Sequence, residues 1–195
     1  MICCAVPVGS AVAPAPPPAR VAHPPPSDAE IRQALLNPWD VEPVPAACID
    51  TETLWLARLM YSETKQPDEQ ELVAWVVRNR AETGFRGRST IALVAQDPYQ
   101  FTAFVAGTET RRYYTSLTSE SGAPGWRRTL ALAYYVRHAD ASMRPFSLDT
   151  RHFYSERSTA HPDSFPVWTL GQTSIKPLRP RHLDAKRFRF YAGIL

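Results

Sequence analysis

The sequence predicts a mainly α protein, with one folded domain and minor short strands. Its 195 residues are 44% hydrophobic and 21% charged, a composition that supports a single hydrophobic core. Apolar side chains recur at helical spacing in several segments between residues 27 and 139. Strand-like pieces occur only nearer the carboxyl end. We therefore expect helices to build the core and short strands to lie beside them.

The first 26 residues differ from the rest of the chain. Pro, Ala and Val dominate them, and they hold eight of the nineteen prolines, which is typical of an extended linker. Their apolar start is too short to span a membrane, and no basic segment precedes it. One hypothesis is a signal or lipoprotein leader in which Cys3 or Cys4 is acylated and tethers the domain to a membrane. The lack of a longer apolar segment argues against it. We place the folded domain at residues 27–195.

Composition and missing motifs disfavour several classes of function. The net charge is only +3, so charge gives no support for nucleic-acid binding. The arginine-rich surface suits an anionic polymer such as a cell wall, although an ordinary solvated surface explains it more simply. Cys48 is the only thiol in the folded part, and no CxxC or HExxH occurs, so we expect no disulfide framework, metal site or cofactor. The chain also lacks GxSxG, a P-loop and a dinucleotide fingerprint.

The first predicted helix opens at a capping box. Ser27 and Glu30 have the spacing at which each side chain can bond the backbone of the other. The helix IRQALL should end at Asn37, because a proline follows and disfavours helical backbone before it. A proline-containing connection then leads to Asp50 or Thr51, either of which can cap the next helix.

That next helix carries the principal catalytic candidate, Glu63. One helical face contains, at i, i+3, i+4 and i+7, the residues Leu56, Leu59, Met60 and Glu63. A carboxyl group on such an apolar face must find donors or raise its pKa, and an acid that stays protonated near neutral pH can act as a general acid. The alternative is that Glu63 lies in a frayed last turn before Pro67, where it is solvated or paired with an arginine.

A second polar side chain, Asn79, lies on the inner face of the following helix. Asp68 and Glu71 have the spacing of a capping box at its start, and Gly84 should end it. The inner face is formed by Leu72, Trp75, Val76 and Asn79. A short turn would bring the two inner faces together, so Asn79 could bond near Glu63 or, more simply, hold the backbone of a loop.

The second half of the chain is predicted to hold two more helices and two short strands. Ser89 or Thr90 can cap a short helix, IALVAQ. Residues 107–125 are polar and rich in Thr, Ser and Gly, and we expect a loop or a lid there. The longest remaining helix spans Pro124 to Ala139. Beyond it, the segments RHFYSE and FRFYAGI are strand-like.

The loop after the short helix offers groups that recognise sugars. Tyr99, Gln100 and Phe101 stand side by side in it, and aromatic rings together with amides can stack on and bond to sugars. Phe101 fits a plug of the hydrophobic core equally well.

These motifs resemble the SleB-like cell wall hydrolases, a family of spore-cortex-lytic and related enzymes with a lysozyme-like helical fold. The resemblance spans about Leu54 to Tyr191. Its most specific part is LARLMYSETKQPDEQELVAWVVRNR, which is similar to the family's apolar helix, Tyr-x-Glu, proline turn and second helix ending in Val-x-Asn-Arg. The matching positions are Tyr61, Glu63, Pro67, Asn79 and Arg80.

Four shorter segments continue the resemblance in the family's order. They are Tyr99-Gln100-Phe101-Thr102, His152-Phe153-Tyr154, Pro166-Val167-Trp168 and Phe188-Arg189-Phe190-Tyr191. The chain departs from the family at Ser62, Lys65 and Gln66, where small residues and glycine are usual, and at Thr150-Arg151, where Gly-Ala is usual. These departures keep open the alternative of a non-catalytic module that binds peptidoglycan without cleaving it.

The resemblance implies a lysozyme-like domain that cleaves the bond between MurNAc and GlcNAc in peptidoglycan, as a lytic transglycosylase of the cell envelope. Glu63 would be the general acid and then the base that helps the MurNAc 6-hydroxyl close a 1,6-anhydro ring. A hydrolase would need a second carboxylate, and Asp97 is the nearest candidate, although we favour a capping role for it. We expect a monomer whose partner is the glycan strand.

The family-like segments also suggest which residues bind the substrate. They are Tyr61, Asn79, Gln100, His152, Tyr154 and Trp168. For Trp168 the alternative is a core position beside Pro166, in which case its loss would affect folding and not glycan binding.

Overall fold

The structure is a computed structural model that describes residues 23–98, 100–155, 165–179 and 187–194. Along these residues the elements are α1 (Asp28–Leu36), α2 (Thr51–Glu63), α3 (Pro67–Glu82), α4 (Ile91–Ala95), α5 (Glu109–Ser116), α6 (Trp126–His138), β1 (Thr150–Tyr154) and β2 (Arg189–Ala192). Short 3-10 turns connect several of them. The predicted mainly α class with minor short strands is confirmed.

The core forms where α2, α3 and α6 pack against one another. On its outside, α1 packs on α6, α4 packs on both α2 and α3, and β1 packs on α3. The inner faces predicted from helical spacing are fully buried, with no exposed surface on Leu56, Leu59, Met60, Leu72, Trp75 or Val76. Each such side chain contributes about 1.5–3 kcal/mol through burial, so these two faces hold α2 and α3 together.

The predicted caps of the first two long helices are present. Ser27 accepts a hydrogen bond from the Glu30 backbone N–H, and Glu30 accepts one from the Ser27 backbone N–H at 2.7 Å. At the start of α2 the cap is Asp50, which accepts from the Thr53 backbone N–H at 2.8 Å and also from Arg137 of α6. This cap therefore fixes the start of α2 and ties it to α6.

The capping box predicted at the start of α3 is wrong. The helix begins with Pro67 at its first position, and no side chain caps it. Proline lacks one of the N–H groups that the start of a helix leaves unbonded, and its φ is already set for a helix. The two acidic residues have other partners: Asp68 accepts from the indole N–H of Trp39 at 2.7 Å, and Glu71 is buried and paired with Arg179.

The prediction of a loop or lid over residues 107–125 is wrong for its first half. Helix α5 lies there, capped by Thr108, whose hydroxyl accepts from the Arg111 backbone N–H at 3.1 Å. Tyr114 anchors α5, because its ring packs edge-on against Tyr61 of α2. The Ser and Thr content that suggested a loop includes the residue that starts this helix.

The two strand-like segments form strands as predicted, and these strands pair with each other. β1 and β2 are antiparallel, with His152 opposite Tyr191 and Phe153 opposite Phe190. The pairing is irregular between Thr150 and His152, which bends β1 where it meets α3.

The amino-terminal predictions concern residues 1–22, including Cys3 and Cys4, and these lie outside the described residues. Among the helices that the structure describes, none is long and apolar enough to cross a membrane. Cys48 is a free, partly buried thiol that packs against the core, in keeping with a structural role.

Candidate functional site

Glu63 lies in the wall of a cavity of about 520 Å³. Five stretches of chain form this cavity: the last turn of α2, the end of α3, the loop after α4, the end of β1, and the residues just before β2. Its described lining residues are Ser62, Glu63, Arg80, Gln100, Phe101, Thr102, Phe153, Tyr154, Ser155, Arg187 and Phe188. Several segments that separately resemble SleB-like enzymes thus meet around the carboxyl group of Glu63.

The Glu63 carboxyl group is mostly surrounded by protein and opens only toward the cavity. Burial raises its pKa from 4.5 to about 7, although the positive charge of Arg80 opposes this shift. No described group donates a hydrogen bond to the carboxyl, so among the described residues only the charge of Arg80 favours its ionised form. The raised pKa expected from the apolar face of α2 is therefore found. At neutral pH a large fraction of the molecules hold a protonated acid in the cavity.

Arg80 is the second charged group of the cavity wall. Its residue is only 6% exposed, and its Nε donates to the backbone carbonyl of Arg151 at 2.7 Å. The guanidinium lies near the rings of Phe85 and Phe101, at 5.6 and 5.3 Å from their centroids. Burial lowers the pKa of Arg80 to about 10, which leaves it charged at neutral pH. The backbone bond and the two rings fix this cation in place.

Gln100 and Tyr154, two of the predicted substrate-binding residues, line the cavity with Glu63. The backbone N–H of Gln100 donates to the Asp97 carbonyl at 3.2 Å, and this bond closes the loop between the two residues. Tyr154 ends β1 and is stacked on Tyr191 of β2. Tyr99, which was predicted beside Gln100, lies outside the described residues.

Asp97 is not placed as a second catalytic carboxylate. It is 7% exposed, does not line the cavity, and is held by Arg86 at 2.7 Å and Arg88 at 3.2 Å. Arg86 reaches it from a backbone φ of 54°, in the left-handed region that non-glycine residues rarely adopt. Asp97 thus anchors the loop that carries Gln100. The expected capping role is replaced by this double ion pair.

Arg187 is a further cation in the cavity wall, and it is engaged by an acid. Glu69 of α3 accepts from both Nε and Nη2 of Arg187, the latter at 2.9 Å. Glu69 is buried and also accepts from the hydroxyl of Thr64, the residue that ends α2. This pair links the segment before β2 to the junction of α2 and α3, next to Glu63.

Two predicted substrate-binding residues, Tyr61 and Asn79, are structural, and their assignment is corrected. The ring of Tyr61 packs against Trp126, and its hydroxyl donates to the Pro124 carbonyl at 2.8 Å. Asn79 is fully buried, and its amide donates to the carbonyls of Ser147 at 3.0 Å and Thr150 at 2.8 Å. Neither residue lines the cavity. The simpler interpretation of Asn79, that it holds a loop, is confirmed.

His152 and Trp168 lie behind the cavity wall. The Trp168 ring packs against His152, Tyr154 and Tyr191, with centroid distances of 5.2, 6.0 and 5.3 Å. Burial and the nearby charges of Arg80 and Arg151 lower the pKa of His152 to about 4, so its ring is neutral. Neither residue lines the cavity, and we correct their role to support of Tyr154.

Arg80, Phe153 and Phe188 are among the cavity residues that were not given a role in the sequence prediction. Arg80 belongs to the family-like motif but was quoted only as part of it, and its position four residues after Val76 was the available signal for an inward side chain. Phe153 and Phe188 were seen only as strand residues. Their shared face with Phe190 follows from strand pairing, which spacing within one segment does not reveal.

Within the described ranges, no group of three or more His, Cys, Asp and Glu side chains is arranged to hold a metal ion. His161, His182 and Glu156 lie outside those ranges.

Comparison with protein-family models, curated proteins and solved structures gives no match to this chain. The similarity to SleB-like enzymes therefore stands on the motifs described above, and the lysozyme-like fold stays a prediction.

Proposed function

We propose that this protein cleaves the glycosidic bond between MurNAc and GlcNAc in peptidoglycan, as a lytic transglycosylase of the cell envelope. The observation that carries the proposal is the position of Glu63 in a cavity, with a pKa raised to about 7. A carboxyl group that is protonated near neutral pH and open to a cavity can donate its proton to a leaving oxygen.

The walls of the cavity suit a sugar chain. Its volume of about 520 Å³ lies within the usual range of ligand sites, and aromatic rings alternate with polar groups around it. Phe101, Phe153 and Phe188 offer apolar faces, while Gln100 offers an amide donor and acceptor. These are the groups expected to hold sugar rings against the acid.

The number of carboxyl groups favours a transglycosylase over a hydrolase. Among the described residues that line the cavity, Glu63 is the single carboxylic acid, and Asp97 is engaged by two arginines. Hydrolysis ordinarily uses a second carboxylate, about 5–9.5 Å from the first, to act as nucleophile or to activate water. Transglycosylation needs one residue that acts first as acid and then as base.

The proposed reaction uses Glu63 twice. Its proton passes to the glycosidic oxygen as the bond from that oxygen to C1 of MurNAc breaks. The 6-hydroxyl oxygen of the same MurNAc then bonds to C1, and its proton passes to the Glu63 carboxylate. The carboxylic acid is restored, no water is consumed, and the products are a new GlcNAc end and a 1,6-anhydroMurNAc end.

The alternative is a binding module without turnover, and it rests on the departures from the family motif. Ser62, one of these departures, lines the cavity directly beside Glu63. Its hydroxyl donates to the Leu59 carbonyl at 2.8 Å, so the side chain is turned back toward the helix.

The test is Glu63→Gln in the full chain, incubated with insoluble sacculi. We expect the unmodified protein to release muropeptides that mass spectrometry detects, and Glu63→Gln to bind the sacculi without releasing them. The matched control is Glu109→Gln, which makes the same chemical change at a side chain that is 92% exposed. Release by a folded Glu63→Gln variant would refute the assignment, and binding without release by the unmodified protein would favour the alternative.

A further inference from the structure

The guanidinium of Arg80 presents a free edge to the cavity. Its Nε is bonded to the Arg151 carbonyl, whereas its two Nη atoms have no hydrogen-bond partner in the described structure and are not sealed from solvent. The residue as a whole is only 6% exposed and lines the cavity, so we assign its unbonded edge to the cavity. Burying a cation without a hydrogen-bonded or ion-paired partner costs free energy unless solvent or a ligand interacts with its charge.

The neighbouring charged groups do not supply that partner. Glu63 forms no ion pair with Arg80, although both line the same cavity. Asp97 is engaged by Arg86 and Arg88, and it acts on Arg80 only through space. Among the described residues, no acid is therefore bonded to the Arg80 guanidinium when Glu63 is protonated.

We infer that the Nη edge of Arg80 binds a carboxylate of the glycan substrate beside Glu63. This inference rests on the proposed function for the identity of the glycan. The two Nη atoms form a planar fork that matches the two oxygens of a carboxylate, and such pairs are strong where water is excluded. The rings of Phe85 and Phe101 and the bond to Arg151 hold the fork in one orientation, so little freedom is lost on binding.

Peptidoglycan has two sources of carboxylate, and the position of Arg80 favours one of them. In a strand without stem peptides, the lactyl group of MurNAc ends in a carboxylate on the same sugar ring whose bond is cleaved. In a strand with peptides that group is a neutral amide, and the nearest carboxylates lie at least one amino acid further out. Because Arg80 and Glu63 share one cavity, we assign the fork to the lactyl carboxylate. The preferred substrate is then a peptide-free strand.

The inference can be tested from the ligand side without altering Arg80. The full chain carrying Glu63→Gln is titrated with peptide-free glycan, with the same glycan whose lactyl carboxylates are converted to methylamides, and with peptide-bearing glycan. We expect the carboxylate form to bind about 10- to 100-fold more tightly than the methylamide form, as for a lost charged hydrogen-bonded pair. Equal binding of all three glycans would overturn the inference.

Variants of Arg80 in the Glu63→Gln background test the protein side. Arg80→Gln should abolish the preference for the carboxylate form, and Arg80→Lys should keep part of it, because lysine retains the charge without the fork. The matched control is Arg112→Gln, which removes a charge from a side chain that is 73% exposed and should leave the preference unchanged. If Arg80→Gln does not fold, the ligand-side comparison still decides.

Further outcomes separate this inference from the proposed function. If Arg80→Gln weakens only the binding of peptide-bearing glycan, the carboxylate site stands and its source is the stem peptide. If no glycan is bound or cleaved, the proposed function fails, and the site is then tested by NMR titration of the full chain with N-acetylmuramic acid and N-acetylglucosamine. Binding of the acid alone, lost in Arg80→Gln, would keep the site. Absence of that binding would overturn it.

Discussion

Glu63 and Arg80 line one cavity without forming an ion pair. A direct contact would hold the carboxyl group ionised, as is usual for acids beside arginine. Without a direct contact, the charge of Arg80 offsets only part of the effect of burial, and the pKa of Glu63 is raised to about 7. This arrangement therefore leaves a proton available for the proposed reaction and a guanidinium available for the proposed substrate.

We expect Glu63→Gln to be more stable than the unmodified protein at alkaline pH. The folded pKa of about 7 lies above the ordinary 4.5, so the acid form stabilises the fold at low pH and this contribution is lost as pH rises through 7. Glutamine does not ionise. The variant should unfold at a higher temperature at about pH 8.5, with a gain of about 2–3 kcal/mol, and the gain should disappear below the unfolded pKa, at about pH 4.

Thermal unfolding followed by circular dichroism at both pH values measures this difference. Glu109→Gln is again the matched control and should show no pH-dependent gain, because its side chain is 92% exposed. Equal gains at both pH values would mean that Glu63 is not ionising in a buried position.

We expect turnover to fall as pH rises through about 7, since the protonated form of Glu63 is the active one. Arg80→Gln should move this falling limb to higher pH, because it removes the charge that favours the carboxylate. The charge of Glu63 also acts on Tyr114. Burial raises the pKa of Tyr114 above its usual value of 10, so this residue does not titrate in this range. The measurement is kcat against pH for both proteins. A limb at the same pH in both would show that Arg80 does not act on the acid.

Substitutions of Asn79 test whether this motif residue stabilises the fold or binds the glycan. Asn79→Ala removes the two hydrogen bonds that its amide donates to the backbone carbonyls of Ser147 and Thr150, and we expect a loss of about 2–4 kcal/mol in unfolding free energy. Asn79→Asp should cost more at neutral pH, because it adds a buried charge in almost the same shape. Urea unfolding measures both losses. Glycan binding by the folded Asn79→Ala variant should be unchanged, and a selective loss of binding would return Asn79 to the site.

Trp168 tests the aromatic cluster behind the cavity. Trp168→Ala removes contacts with His152, Tyr154 and Tyr191, and we expect it to cost about 2–4 kcal/mol, somewhat less than for a fully buried tryptophan. Trp168→Phe should restore most of this loss. Weakened sacculus binding with unchanged thermal unfolding would instead place Trp168 in direct contact with the glycan.

The helices of this protein could be predicted from sequence because their signals are local. The residues of the inner faces of α2 and α3 recur at helical spacing. The side chains of Ser27 and Asp50 cap the helices that follow them, so they mark helix starts in the sequence. The start of α3 was mispredicted because Asp68 and Glu71 have the spacing of a cap but bond to distant residues. Spacing along the chain does not show such partners.

The site could be predicted only in part for the same reason. The position of Glu63 at the cavity could be predicted because its apolar face is local and its motif is specific. Tyr61 and Asn79 share that motif but point into the core, and the sequence does not distinguish a residue that forms a site from one that supports it. The free edge of Arg80 depends on the Arg151 carbonyl, which is 71 residues away along the chain.

The final prediction concerns the products. If Glu63 acts alone, cleavage in heavy-oxygen water should give 1,6-anhydroMurNAc ends that contain no heavy oxygen, because the 6-hydroxyl and not water attacks C1. Asp97→Asn should leave this product type unchanged, since Asp97 is bonded to Arg86 and Arg88 away from the cavity. Asp97→Asn should lower the unfolding free energy by about 1–3 kcal/mol. The loss is limited because both arginines are partly exposed, so water solvates them once the ion pairs are removed. Reducing MurNAc ends that carry heavy oxygen would show hydrolysis, and would require a second carboxylate acting with Glu63.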